Sequence, residues 1–277
     1  KYLDDTHTSS EGLLQFFEIL KSQENTLSSE QNPYVRSHPL TSERISFLRQ
    51  HVKKSNLSLK KSSSQYIELH ARMKAKLDGY LLPPLHTLRL YPIGDKSLSA
   101  RYARAMAYHK DNQFIKAIEE INSLLVERPT DPYFNELKGQ IYFENGKLKE
   151  ALPFYEKSIE LLPGSPLLLV ALGRTYLELD DPQYLGNAVN VLEEAVSFDN
   201  GSSFIWRQLG IAYGRMGEMA QSSLALAEEA YLQRRYKEAI YLAGRAEKGL
   251  KVGAPDWIQA QDLRLTSERL LKKQQKR

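Results

Sequence analysis

His38-Pro39, with Arg44 six residues beyond His38, is the group in this 277-residue chain with the clearest chemical use. Proline keeps the residue before it extended, so the imidazole sits at the end of an open segment just before a helix. Arg44 then falls on the first turns of that helix. An imidazole and a guanidinium facing a site from outside can stabilise an anionic intermediate. The same residues also read as a loop histidine beside a surface arginine, the commoner role of a lone histidine. No further chemistry gathers around them. The six histidines include no pair four residues apart, which excludes an H-E-x-x-H zinc helix. No P-loop, Rossmann glycine pattern or G-x-S-x-G turn occurs. The absence of cysteine removes disulfides, thiolate zinc sites and thiol nucleophiles.

The elements that must position this pair occupy residues 1–95. Thr8-x-x-Glu11 reads as a capping box ahead of Leu13, Leu14, Phe16, Phe17 and Leu20, which predicts a helix to about Gln23. Asn25 to Pro39 reads as a loop. A second helix starts at Thr41 or Ser42 and carries Ile45, Phe47, Leu48 and Val52 on one face. Ser55 to Ser64 reads as a mobile polar linker. A third helix spans about Ser64 to Leu77, with Asp78-Gly79 ending it. Pro83-Pro84 and Tyr91-Pro92 predict an extended crossing segment.

Beyond this point the chain repeats itself. Tyr108, Tyr142 and Tyr176 are 34 residues apart, as are Gly139 and Gly173, Ala117 and Ala151, and Pro129 and Pro163. Trp206-Arg-Gln-Leu-Gly-Ile-Ala-Tyr213 spells the first-helix pattern of a tetratricopeptide repeat. Each repeat is a helix pair that completes its core only by stacking on its neighbours. The first three span about 98–131, 132–165 and 166–202, the third with three residues inserted around Asp180-Asp181-Pro182-Gln183. A fourth begins at Trp206. Its second helix also serves a fifth unit carrying Ala227, Ala230, Ala239, Ala243 and Ala246. Trp257, Ile258, Leu263, Leu265 and Leu270 mark a final helix that caps the stack. The expected fold is all-α, with residues 1–95 as a helical part plus linker and residues 96–277 as a repeat solenoid of about four to five units.

Composition narrows the function classes. Net charge is +4, with 42% hydrophobic and 26% charged residues and a mean hydropathy of −0.49. No run approaches the 18 apolar residues of a membrane span. Lys1-Tyr-Leu-Asp-Asp lacks the basic start and apolar core of a signal peptide, and the missing initiator Met suggests a piece of a longer precursor. Ten Lys and Arg against Glu43 and Glu68 make the Arg36–Lys76 stretch strongly basic. That stretch is either a solvated helix face or a peripheral contact for anionic membrane. Nucleic acid is not expected as a partner, because the basic residues lie mainly outside the repeats and no nucleic-acid motif appears.

The stretch His38-Pro-Leu-Thr-Ser-Glu-Arg44-Ile, preceded by Gly12-Leu-Leu-Gln-Phe-Phe-Glu-Ile-Leu20 and followed by helical repeats, resembles the bacterial BepA-like metallopeptidases. These belong to the zinc endopeptidase family that includes the CAAX-prenyl proteases. The resemblance is read along essentially the whole chain, with residues 1–80 as the tail of a protease domain. It implies a zinc cofactor and a periplasmic metalloendopeptidase in the longer parent, acting in outer-membrane protein assembly or quality control. His38 would steady the tetrahedral intermediate or cap the open metal position, and Arg44 would support the site or the local fold. The sequence departs from the family in lacking all three zinc ligands, so this part alone should be inactive. That departure reads as truncation or as a zinc-less paralogue. A non-catalytic repeat adaptor is the competing function.

The first helix of each pair would present a binding face. Spacing places Tyr102, Met106, Tyr133, Gln140, Phe143, Arg174, Arg207, Ile211 and Arg215 there. Aromatic area combined with arginine suits an extended peptide or a partner's loop, possible outer-membrane assembly proteins among them. Several of these side chains can instead pack between repeats. The paired Lys and Asn of a terminal-carboxylate clamp are absent.

Overall fold

The computed structural model describes residues 2–24, 42–58, 60 and 62–275. Among them the secondary structure is entirely helical, and the repeat region is a tetratricopeptide-like stack of helix pairs. Residues 1–71 and 72–277 form separate compact units. The boundary at residue 71 falls inside a helix and earlier than the expected one at residue 95. The 72–95 stretch packs on the repeats.

The first unit holds α1 (Tyr2–Asp5), α2 (Glu11–Glu24) and α3 (Ser42–Lys54). The Ser9 hydroxyl, rather than Thr8, accepts the Glu11 N–H at the start of α2. Leu14 and Ile45 are the buried apolar residues of the α2–α3 packing. Arg49 donates to Glu18 at 2.6 Å, and His51 Nε2 lies 3.1 Å from Asp4. The expected linker is tied down at several points. Lys60 Nζ donates to the His7 carbonyl at 2.8 Å, and Ser9 donates to the Ser58 carbonyl at 3.2 Å. Residues 25–41, including His38, lie outside the described residues.

Helix α4 (Ser64–Leu81) does not stop at Asp78-Gly79. Gly79 is inside it for a packing reason. A Cβ there would stand 2.9 Å from the Met106 side chain, so glycine permits the helix to lie this close to the repeats. The Pro83-Pro84 step starts α5 (Pro84–Leu90) instead of an extended crossing, because proline suits a first helical position.

The stack proper comprises α6 (Leu98–Lys110), α7 (Phe114–Glu127), α8 (Pro132–Glu144), α9 (Leu148–Leu161), α10 (Pro166–Glu178), α11 (Leu185–Phe198), α12 (Ser203–Met216), α13 (Met219–Leu232), α14 (Tyr236–Gly249) and α15 (Pro255–Gln275). Pro132 and Pro166 open first helices, and Asp131 accepts the Tyr133 and Phe134 N–H groups at 3.0 and 3.1 Å. The turns closing α6, α8 and α12 share one geometry. The N–H groups of Gln113, Lys147 and Glu218 return to the carbonyls of Tyr108, Tyr142 and Tyr213, around left-handed residues Asn112, Gly146 and Gly217.

Arg235 N–H returns to the Ala230 carbonyl around left-handed Arg234 in the same way. Helix α13 therefore ends as a first helix does, while also packing as the second helix of α12. That is the expected shared helix of a fifth unit. In the third repeat the inserted residues become a 3-10 turn, Pro182–Tyr184, whose Tyr184 stacks on Tyr176 at 5.5 Å. Helix α15 closes the end with Ala260 and Leu263 against Ala243 and Ala246. Ile258 and Leu265, also expected to cap, remain exposed.

Small residues set the spacing within pairs. A Cβ on Gly173 would meet Leu192 at 2.7 Å, and one on Gly210 would meet Leu226 at 2.7 Å. Gly139 faces the Tyr155 ring less tightly, at 3.1 Å from a Cβ built there. A buried charge ties the crossing segment to the stack. Arg104 is 1% exposed, and its guanidinium reaches Glu120 at 2.6 Å and the carbonyls of Pro92 and Asp95 at 2.8 Å.

Two stability outcomes follow from these contacts. Gly173→Val should destabilise the chain by roughly 1–3 kcal/mol through overpacking on Leu192, read as a lower urea midpoint. Arg104→Met should cost about 3–5 kcal/mol, because Glu120 and the crossing carbonyls lose their donor. Faster amide exchange across residues 91–97 should accompany the loss of stability.

Candidate functional site

The repeats place equivalent residues of successive first helices in rows. Tyr133, Leu167 and Phe204 form one row, Glu136, Val170 and Arg207 a second, and Gln140, Arg174 and Ile211 a third. The offset is 34 residues, then 37 across the insertion. Side chains at such positions share one face of the stack. Between α4, α8 and α10 this face encloses a groove of about 340 Å³. Lys76 and Tyr80 of α4 form one wall, Gln140, Phe143 and Glu144 a second, and Leu167, Val170 and Arg174 a third.

The α4 wall is fastened by polar contacts along its length. Arg72 pairs with Asp131 at 2.7 Å, and Lys76 pairs with Glu136 at 3.2 Å. The Tyr80 hydroxyl donates to Gln140. Gln140 in turn donates to Glu144 at 2.7 Å, and His109 Nε2 lies 2.7 Å from the other Glu144 oxygen. The His109 hydrogen bond holds the Glu144 carboxyl below its ordinary range, with Gln140 and the nearby Arg174 charge adding to the effect. Burial, reinforced by Glu136 and Glu144, pushes the Tyr80 phenol upward, so it remains a neutral donor.

Arg174 is held differently. Its guanidinium lies 5.2 Å from the Phe143 ring centre and 5.7 Å from that of Phe204. Further along the face, Arg207 is 62% exposed and 4.0 Å from Glu229. Arg215 reaches Asp180 at 3.6 Å and donates to the Leu177 carbonyl.

Gln140, Phe143 and Arg174 are thus brought together in the groove. Tyr133 stands beside it under Lys76, at 5.6 Å. Arg207, Ile211 and Arg215 continue the first-helix face on α12. Tyr102 and Met106 do not have the expected position. Both are buried, Tyr102 against Phe134 at 5.2 Å and Met106 against Gly79, because α4 packs over them. In the first unit, Arg44 lies 5.7 Å from the Phe17 ring. His38 is outside the described residues, so its pairing with Arg44 has no geometry. Among the described residues no cluster of three His, Asp or Glu side chains can hold a metal, so a zinc ion finds no ligand set there. No described helix is long and apolar enough to cross a membrane.

Leu167, Val170 and Phe204 escaped the sequence reading. Counting 34 and 37 residues on from Tyr133 gives Leu167 and Phe204 directly. Lys76 and Tyr80 carried no such signal, because they come from a helix outside the repeat.

Residues 102–166 match the tetratricopeptide-repeat family. The beta-barrel assembly-enhancing proteases of Escherichia coli K12 and Shigella flexneri are each 26% identical over 156 residues, covering 56% of this chain and 31% of theirs. The chain therefore spans about a third of the length of these curated relatives, and the likeness lies in the repeat part. It is narrower than the whole-chain resemblance expected from the motifs. Among solved structures, the MamA fragment from residue 41 of Desulfovibrio magneticus RS-1 aligns with TM-score 0.51 and 19% identity, covering 61% of this chain and 96% of that one. A MamA double mutant aligns equally, with TM-score 0.51. These likenesses bear on the fold.

The depressed Glu144 carboxyl has a stability consequence. Its stabilising contribution is present above the ordinary glutamate value of 4.5 and is lost as pH falls through the lower folded value. Urea midpoints of the wild type and Glu144→Gln should therefore differ at neutral pH and converge as pH falls from the ordinary glutamate value through the lowered folded one. A gap that persists in acid would assign the effect to packing.

Proposed function

We propose that the repeats form a protein-interaction module that takes an extended segment of a partner along the first-helix face. The observation that carries this reading is the row of Tyr133, Leu167 and Phe204. These large apolar side chains are 43%, 77% and 46% exposed, in register beside an open groove. An aligned apolar row with polar neighbours is the surface expected of a binding site rather than of a solvated face. Gln140, Phe143 and Arg174 supply the polar and aromatic contacts of the groove, and Arg207, Ile211 and Arg215 extend them. Tyr102 and Met106 act as the buried support beneath α4.

A second reading is favoured by the match to the assembly-enhancing proteases together with the His38-Pro39 and Arg44 motif. In it the chain is part of a periplasmic zinc metalloendopeptidase, and the repeats recruit substrates or dock on outer-membrane assembly machinery. Zinc would be held by residues of the longer protein, with His38 and Arg44 in supporting roles. The exposure of Phe16, Ile19 and Phe47, at 52%, 56% and 74%, is consistent with a further domain packing on α2 and α3.

The interaction reading is tested by a photo-crosslinking residue placed at Leu167 or, as control, at Val126 on a second helix, where the side chain is 86% exposed. Adducts with a partner protein should form at position 167 and be largely absent at 126; equal labelling would sink the reading. The protease reading requires an H-E-x-x-H motif in the parent gene and one zinc per chain in the longest natural form. A zinc-free natural form with no such motif leaves the adaptor alone.

A further inference from the structure

The charged side chains of the groove, Lys76, Glu136, Glu144 and Arg174, balance in number, but one cation is left without a contact ion pair among the described residues. Its carboxylates are committed internally, Glu136 to Lys76 at 3.2 Å, and Glu144 to His109 and Gln140 at 2.7 Å each. Arg174 acts on Glu144 only through space. Among the described residues it makes no hydrogen bond or ion pair, and its contacts are the Phe143 and Phe204 rings. A guanidinium between two rings keeps its N–H edges free, and those edges match a carboxylate in two-point geometry. The rings also restrict its motion, so less rotamer entropy is lost when a ligand binds. The equivalent position is Gln140 in the preceding repeat and Ile211 in the following one, so the repeat fold does not require arginine here.

Resting on the peptide-binding reading above, we propose that Arg174 selects an acidic side chain of the partner segment. The ligand is an extended peptide in which an Asp or Glu is flanked by aliphatic or aromatic residues. The carboxylate meets the Arg174 fork, while the flanking side chains lie on Leu167 and Phe204. The apolar row continues on both sides of Arg174, from Tyr133 to Phe204, so the peptide passes across the site. The recognised carboxylate therefore belongs to a side chain rather than to a chain terminus.

The test pans a random dodecapeptide library, displayed with no free C-terminus, on the intact chain and on Arg174→Gln and Arg174→Lys. Thermal unfolding checks that both variants remain folded, and the glutamine at position 140 indicates that they should. The wild type should enrich Asp or Glu between apolar residues. Arg174→Gln should lose that bias while still enriching apolar peptides. A selected peptide should bind Arg174→Gln at least about 10-fold more weakly, with Arg174→Lys intermediate. Enriched peptides with no acidic bias, or with a bias unchanged in Arg174→Gln, overturn this inference and leave the peptide-binding reading standing. No enrichment on any form overturns both.

Discussion

The close approach of two helices at a residue without a side chain is the constraint on which the stack depends. At Gly173 and Gly210 any Cβ would run into a leucine of the paired helix, and at Gly139 it would press on the Tyr155 ring at 3.1 Å. Fully buried alanines on the second helices, Ala117, Ala151 and Ala188, allow the same intimacy from the other side. The separation within a pair then dictates where the larger residues can go. Tyr142, Phe154 and Phe114 fill the space at one seam, with Tyr142 and Phe154 stacked at 5.7 Å. Because each pair repeats this geometry, side chains at equivalent positions fall into rows, and the groove is a consequence of those rows.

A second layer of order comes from charge. Helix α4 is not part of the repeat, yet its half from Arg72 onward lies on the first-helix face and is held by Arg72–Asp131, Lys76–Glu136 and Tyr80–Gln140. Its Gly79 allows that approach by the same logic as the repeat glycines. The contacts cover Tyr102 and Met106 and narrow the open face to the part around Phe143, Val170 and Arg174. Lys76 of α4 also engages Glu136, while His109 and Gln140 engage Glu144, so among the described residues Arg174 keeps no contact ion pair in the groove.

Much of the architecture was legible because it rests on local, periodic rules. The 34-residue spacing located each repeat, and the three-residue insertion fell in a turn, where added length costs little. The shared role of α13 could be anticipated from its alanines, and the left-handed turn at Arg234 gives it a structural cause. Readings failed where a residue's usual local meaning yielded to packing. Gly79 looked like a helix terminator and proved to be a contact point. Pro83-Pro84 looked like extended chain and began a helix. Ser55–Ser64 looked like a free linker, but Ser58 and Lys60 are hydrogen-bonded to the segment before α2.

The sequence by itself determined that this is an all-α chain with a tetratricopeptide-like stack of helix pairs. Helix period, capping residues and the small residues at fixed intervals are properties of neighbouring positions along the chain. The tertiary structure alone decided which first-helix residues remain open. Tyr102 and Met106 obey the same spacing as their counterparts in later repeats, but a helix from outside the repeat covers them. Burial depends on what packs against a residue, and no periodicity within the repeats records the position of α4.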